Sequence, residues 1–158
     1  MSSNSEATAK FCLDFFKVLN EDRPSGNITY SPLSISAALG MVLLGARGNT
    51  ATQIQKVGNN KAFHSVKRSN KLNIMGIHSQ FPDIFSAINK PTAFYELAIA
   101  NRLYGEKTFS FLQQYLSCIQ KLYQAELKPA DFQNAAEETR EQINLWVETF
   151  TNVRRNKK

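Results

Sequence analysis

A chain of 158 residues can bury one hydrophobic core, and a content of 42% hydrophobic and 11% aromatic residues excludes a disordered polymer. The net charge is +6, but Arg154, Arg155, Lys157 and Lys158 supply four of those charges and leave the remainder at +2. That argues against nucleic acid as a partner of the folded part.

Residues 5–19 carry Phe11, Phe15, Val18 and Leu19 at helical spacing, with Cys12 beside them, which predicts an amphipathic helix. Its leading segment, MSSNSEATAKFCLDFF, has no basic stretch followed by an apolar one, so no cleavable signal peptide is expected. Cys12 and Cys118 lie far apart, each inside a helical apolar pattern. Two such thiols make no disulfide framework and point to a reducing compartment, the cytoplasm. EDRPSGN breaks the first helix, and ITY reads as a brief strand.

SPLSISAALGMVLLG predicts a second helix, with Ser31 as N-cap, Pro32 at the first helical position and Gly45 as C-cap. Leu33, Ile35, Ala38, Leu39, Met41, Val42 and Leu43 fall on every side of it. A helix that is apolar all round belongs in the middle of a large core. The stretch Leu33 to Leu44 is interrupted by serines and is too short to span a bilayer, so no membrane partner is expected. Thr50 and Gln53 have the spacing of a capping box for a short third helix. Residues 58–71 are polar and poorly patterned, which predicts a loop with a solvated basic cluster at Lys67, Arg68 and Lys71.

IMGIHSQFPDIFSAIN is helical in pattern, with Pro82 as a disturbance. ELAIANRLYG is the clearest strand; Leu97, Ile99 and Leu103 share one face, Ala98 and Ala100 the other, so it wants covering on both sides. Arg102 within it reads as a sheet-edge ion-pair residue. A helix follows with Phe111, Leu112, Tyr115, Leu116, Ile119, Leu122 and Tyr123 on one stripe. AELKPADF is a short strand that Pro129 confines to a sheet edge. The last helix carries Ile143, Trp146, Val147 and Phe150 at i, i+3, i+4, i+7, with Trp146 as a packing residue.

Catalytic and cofactor chemistry are not expected. The only histidines, His64 and His78, form no metal spacing with either cysteine. No nucleophile elbow or phosphate loop is present, because GARG lacks the strand–helix context. The sequence therefore reads as a non-enzyme with no metal and no cofactor. Asn27 opens a glycosylation sequon, NIT, that is inert without secretion. One buried-type helix and one two-faced strand, with few strands to build a sheet, look like parts of something larger.

ITYSPLSISAALGMVLLGARGNTATQI, ANRLYGEKTFSFLQQYLSCIQKLYQAEL and DFQNAAEETREQINLWVE together resemble the serpin family, in its ovalbumin-type, clade B, intracellular branch. These long stretches stand in family order and cover most of residues 8–152. The resemblance implies an α+β fold: the N-terminal part of a serpin, mostly helical, with a few strands and incomplete sheets. It places a strand of the second sheet at 27–30, the central buried helix at 32–45, the second and first strands of the main sheet at 96–105 and 124–130, and the helix across that sheet at 134–151.

The same resemblance implies two segments, a partial serpin domain at 1–152 and a basic tail foreign to the family at 153–158. Val153-Arg154 is what a GTAAGA splice-donor sequence would encode, so the tail is expected to be translated intron and the transcript alternatively spliced. Serpins inhibit proteases with a reactive-centre loop that is cleaved and then inserts into the main sheet. The expected chain stops before that loop, so the reactive centre is absent and no protease complex is expected. Ser31 and Ser34 match the family's shutter serines, which help control sheet opening; read from the residues alone, they are an N-cap and a helix-face hydroxyl. Open strand edges and apolar faces make self-association, or pairing with other serpin chains, the alternative function, with Ile99 and Leu103 as the surface to disrupt. A nucleic-acid binder using the tail is the second alternative. A loosely packed state is expected, since the central helix would lack full cover.

Overall fold

The computed structural model describes residues 3–22, 25–57, 77–92, 94 and 97–152. In chain order the elements are α1 (Ser3–Asp22), α2 (Pro32–Gly45), α3 (Gly48–Val57), a 3-10 turn (Ile77–Gln80), α4 (Phe81–Ile88), β1 (Arg102–Glu106), α5 (Gln113–Tyr123), β2 (Glu126–Ala130) and α6 (Ala136–Asn152). The chain is α+β and mostly helical, with two strands in one partial sheet among the described residues.

The start of α2 follows from its sequence. Ser31 is extended (φ −110°, ψ 106°) and its Oγ accepts the Ser34 N–H at 3.2 Å, while Pro32 occupies the first turn where no N–H is needed. The end of α2 departs from expectation. Gly45 is the last helical residue, and the extended Ala46 takes the cap, giving its N–H to Val42 O and Leu43 O. Gly45 serves packing instead, since a Cβ there would meet the Tyr115 ring at 3.0 Å. The left-handed conformation belongs to Gly48 (φ +57°), which opens α3. Thr50 is therefore already inside α3, and no Thr50–Gln53 capping box forms. Pro82 does not disturb its helix either, because it sits in the first turn of α4.

The core lies between α2, α4 and α5. Ala37, Met41 and Leu44 of α2 meet Phe81 and Phe85 of α4 and Cys118, Ile119 and Tyr123 of α5, with Leu33, Ile99 and Leu103 packed around them. The apolar all-round pattern of α2 outruns this core: Val42 remains 52% exposed.

β1 and β2 run parallel in the register Arg102↔Glu126 to Glu106↔Ala130, joined by α5 as a crossover. Pro129 lies opposite Gly105, and β2 is an edge strand. Three strand expectations need correction. Residues 27–30 are not a strand and have no ladder partner among the described residues. Residues 97–101 also fall outside the ladder; at Ile99 the Asn89 side chain takes the backbone groups, accepting the N–H at 2.8 Å and donating to the carbonyl at 3.3 Å. The second short strand starts at Glu126 and not at 124, since Gln124 turns the chain out of α5 in the left-handed region (φ 50°).

Candidate functional site: a capped central helix beside a two-stranded sheet

α6 is tied to the sheet at both ends of β1. Arg102 places its guanidinium 4.5 Å from the centroid of the Trp146 ring, a cation–π contact. Among the described residues Arg102 forms no ion pair, so its expected role is corrected: the aromatic face takes the place of a carboxylate. At the other end Glu106 Oε2 accepts the Phe132 N–H at 2.8 Å, and Lys107 Nζ reaches Asp131 Oδ2 at 2.5 Å. Their mutual hydrogen bond pushes the Lys107 pKa up and the Asp131 pKa down. Asp131 also starts α6, accepting the Asn134 N–H at 3.0 Å through Oδ1 and the Thr139 hydroxyl at 3.3 Å through its carbonyl. Between these ties Gly105 is buried against the Phe111 ring, which a Cβ would meet at 2.5 Å.

Ser31 and Ser34 stand together at the start of α2. The Ser34 hydroxyl donates to Ser31 Oγ at 2.9 Å, and the same oxygen accepts the Ser34 N–H. Ser31 Oγ thus uses both its lone pairs, leaving its own O–H as the hydrogen available to an outside acceptor. Asn27 and Thr29 of the sequon are exposed just before, with Ile28 half-buried. Tyr30 ties this segment to α1, donating to Cys12 O at 2.7 Å with its oxygen 3.2 Å from Cys12 Sγ. The hydrogen bond to Cys12 pushes the Tyr30 phenol up to about 12.

The polar pair missed by the sequence reading is His78 with Tyr123. Its members are 45 residues apart, and both are buried. His78 had no patterned partner along the chain, so no local spacing could have found the pair. A further long-range contact is the Tyr115 hydroxyl donating to Met41 O at 3.2 Å. Cys12 and Cys118 are free thiols, Cys118 buried.

Among the described residues no three His, Cys, Asp or Glu side chains gather to hold a metal, and no helix is long and apolar enough to cross a membrane. His64, the Lys67, Arg68 and Lys71 cluster and the basic tail at 153–158 lie outside the described residues. The arrangement is one of helix caps, strand pairing and helix-to-sheet ties.

The family model described as serpin (serine protease inhibitor) matches residues 6–156. The chain is 51% identical to Serpin B11 of Homo sapiens over 160 residues, covering 96% of this chain and 40% of the relative. It is 49% identical to the leukocyte elastase inhibitor of Equus caballus, covering 96% of this chain and 37% of the relative. The solved ovalbumin of emu (Dromaius novaehollandiae) superposes with a TM-score of 0.83 at 43% identity, over 96% of this chain and 40% of that one. The chain thus spans about 40% of the length of the relatives it matches. With the family match over nearly all of its length and ovalbumin-type relatives on both comparisons, the chain belongs to the serpin family.

Proposed function

We propose that the 158-residue polypeptide is a serpin-like scaffold segment with no protease-inhibitory activity of its own. One observation carries this reading: the chain spans about 40% of its relatives' length and holds two paired strands among its described residues. Inhibition by the family's route needs a cleavable loop and a sheet that opens to receive it. On this reading residues 1–152 are the serpin part and 153–158 a separate basic tail. Ser31 and Ser34 are the shutter pair, with the Ser31 O–H as the handle for a later-strand acceptor. Asn27 carries no glycan, since the two free thiols suit a reducing, cytoplasmic setting. The test is incubation of the chain with elastase-like and trypsin-like serine proteases, followed by denaturing electrophoresis. Proteolysis without a higher band is expected; a detergent-resistant complex overturns the proposal.

A second reading, an interaction fragment, is favoured by the exposed apolar side chains around the short sheet, with Leu112 76% and Leu97 56% exposed. Ile99 and Leu103 are not the residues to test it, because both pack inward on the core. Sedimentation of the wild type and of a Leu97→Asp, Leu112→Asp variant over a range of concentrations decides it. Association that the double substitution abolishes supports pairing, and a monomer at high concentration removes it.

A further inference from the structure

A single imidazole sits where three helices meet. His78, 3% exposed, lies against Tyr123, 0% exposed, with Nδ1 and the phenol oxygen 2.5 Å apart. The Tyr123 ring is 4.9 Å from that of Phe81, and the phenol oxygen fills the space a Cβ on Gly40 of α2 would need. One polar contact therefore joins the 3-10 turn to α5 directly beneath α2. Residues 77–88, which it anchors, also bring Phe81 and Phe85 into the core.

Among the described residues, the elements packed on the imidazole offer it no counter-charge. α2 contains no ionisable side chain. Of the ionisable groups on α5, Tyr123 is in contact, Tyr115 bonds to Met41 O, Cys118 is a buried thiol and Lys121 is exposed. Asp83 of α4 is exposed. A neutral imidazole can accept the Tyr123 hydroxyl hydrogen through Nδ1. An imidazolium has hydrogens on both nitrogens, so the contact persists only with Nδ1–H donating to the phenol oxygen and the phenol hydrogen turned elsewhere, and a charge remains in an apolar junction.

We propose that His78 is an acid-triggered release for residues 77–88: its protonation detaches the 3-10 turn and α4 from α2 and α5 and exposes the Phe81 and Phe85 faces, while β1, β2 and α6 stay in place. The direction follows from linkage. Burial lowers the His78 pKa from 6.5 to about 4. Above the unfolded value His78 is neutral in both states and the clasp has its full stability. As pH falls from 6.5 towards 4 the open form takes up the proton first, and stability is lost. Between about pH 7 and pH 4.5 the opening equilibrium should rise roughly 50-fold.

Amide hydrogen exchange on the whole chain, corrected for intrinsic rates, reads this directly, with the His78 ring resonance titrated by NMR in the same samples. Faster exchange in residues 81–88 is expected over that interval, unchanged exchange in β1 and β2, and a His78 pKa well below 6.5. A His78→Gln variant, which keeps a hydrogen-bond acceptor but no titration, should lose the acid step, whereas His64→Gln should keep it. A wild-type His78 that titrates near 6.5, or an acid step that survives His78→Gln, overturns the proposal. Should His78→Gln fail to fold, the wild-type ring titration decides it alone.

Discussion

Ser31 holds the first turn of α2 through an Oγ that accepts both the Ser34 N–H and the Ser34 hydroxyl. Ser31→Ala removes the oxygen that accepts both bonds and should cost about 1 kcal/mol of stability, read as a lowered urea midpoint. Ser31→Asp restores an acceptor at the same place and should recover most of the loss. Gly40 is a second sensitive residue, for a steric reason. A methyl group there meets the Tyr123 hydroxyl, itself clasped to His78 in a wholly buried position. Gly40→Ala should destabilise the chain by about 2 kcal/mol. Tyr123→Phe in that background should recover part of it by removing the atom that clashes. If the two substitutions simply add in thermal melts, the close approach is not what fixes glycine at this position.

At the scale of elements, α6 is the piece whose attachment can be isolated. It meets β1 through Arg102 on Trp146 and the β1–β2 end through Lys107 with Asp131. Trp146 is the only tryptophan, so its fluorescence reports this docking alone. Arg102→Ala should shift that emission to the red and cost about 1 kcal/mol, with little change in tyrosine near-ultraviolet signals from the core. The Lys107–Asp131 tie has its own pH window. The Asp131 pKa lies below its ordinary 3.8 in the folded chain, so the contribution is whole above that value and lost as pH falls through the folded one. Lys107→Met should flatten this acid arm in Trp146 fluorescence. It should leave untouched the step between pH 6.5 and 4 assigned to His78, because the two windows barely overlap.

For the whole molecule, packing is uneven, which refines the expectation of a loosely packed state. Tyr123, Phe85 and Ile119 are fully buried between α2, α4 and α5, whereas Leu145 on α6 is 62% exposed and Val42 on α2 52%. Near neutral pH, amide exchange should be slowest in α2 and α5 and fastest in α6, with the two-stranded sheet between, since a two-stranded sheet has little stability without cover. Uniform protection in one cooperative unit would show instead that α6 and the sheet share the core's stability. The proposed lack of inhibitory activity is tested at this scale too, because loop insertion is a property of a complete sheet and not of any residue named above.

What the amino-acid sequence determined by itself was local: the Ser31–Pro32 start of α2, the apolar stripe of α5 from Tyr115 to Tyr123 (Phe111 and Leu112, expected on it, fall before the helix, and Leu112 is exposed), the edge strand marked by Pro129, and the serpin resemblance carried by long stretches in order. The first three rest on spacing along one element, where 3.6- and 2-residue periods and capping chemistry act over a few residues; the resemblance rests on the matched stretches themselves. Tertiary structure alone decided how far the strands run. Residues 97–101 look like strand by composition, yet Asn89 takes the Ile99 backbone groups. It also decided that Arg102 faces an aromatic ring and that Gly45 serves Tyr115 instead of a cap. The His78–Tyr123 clasp was the least legible, because its partners are 45 residues apart and meet only once α4 and α5 pack beneath α2. A contact between elements depends on how their faces meet, and no periodicity within either element encodes that.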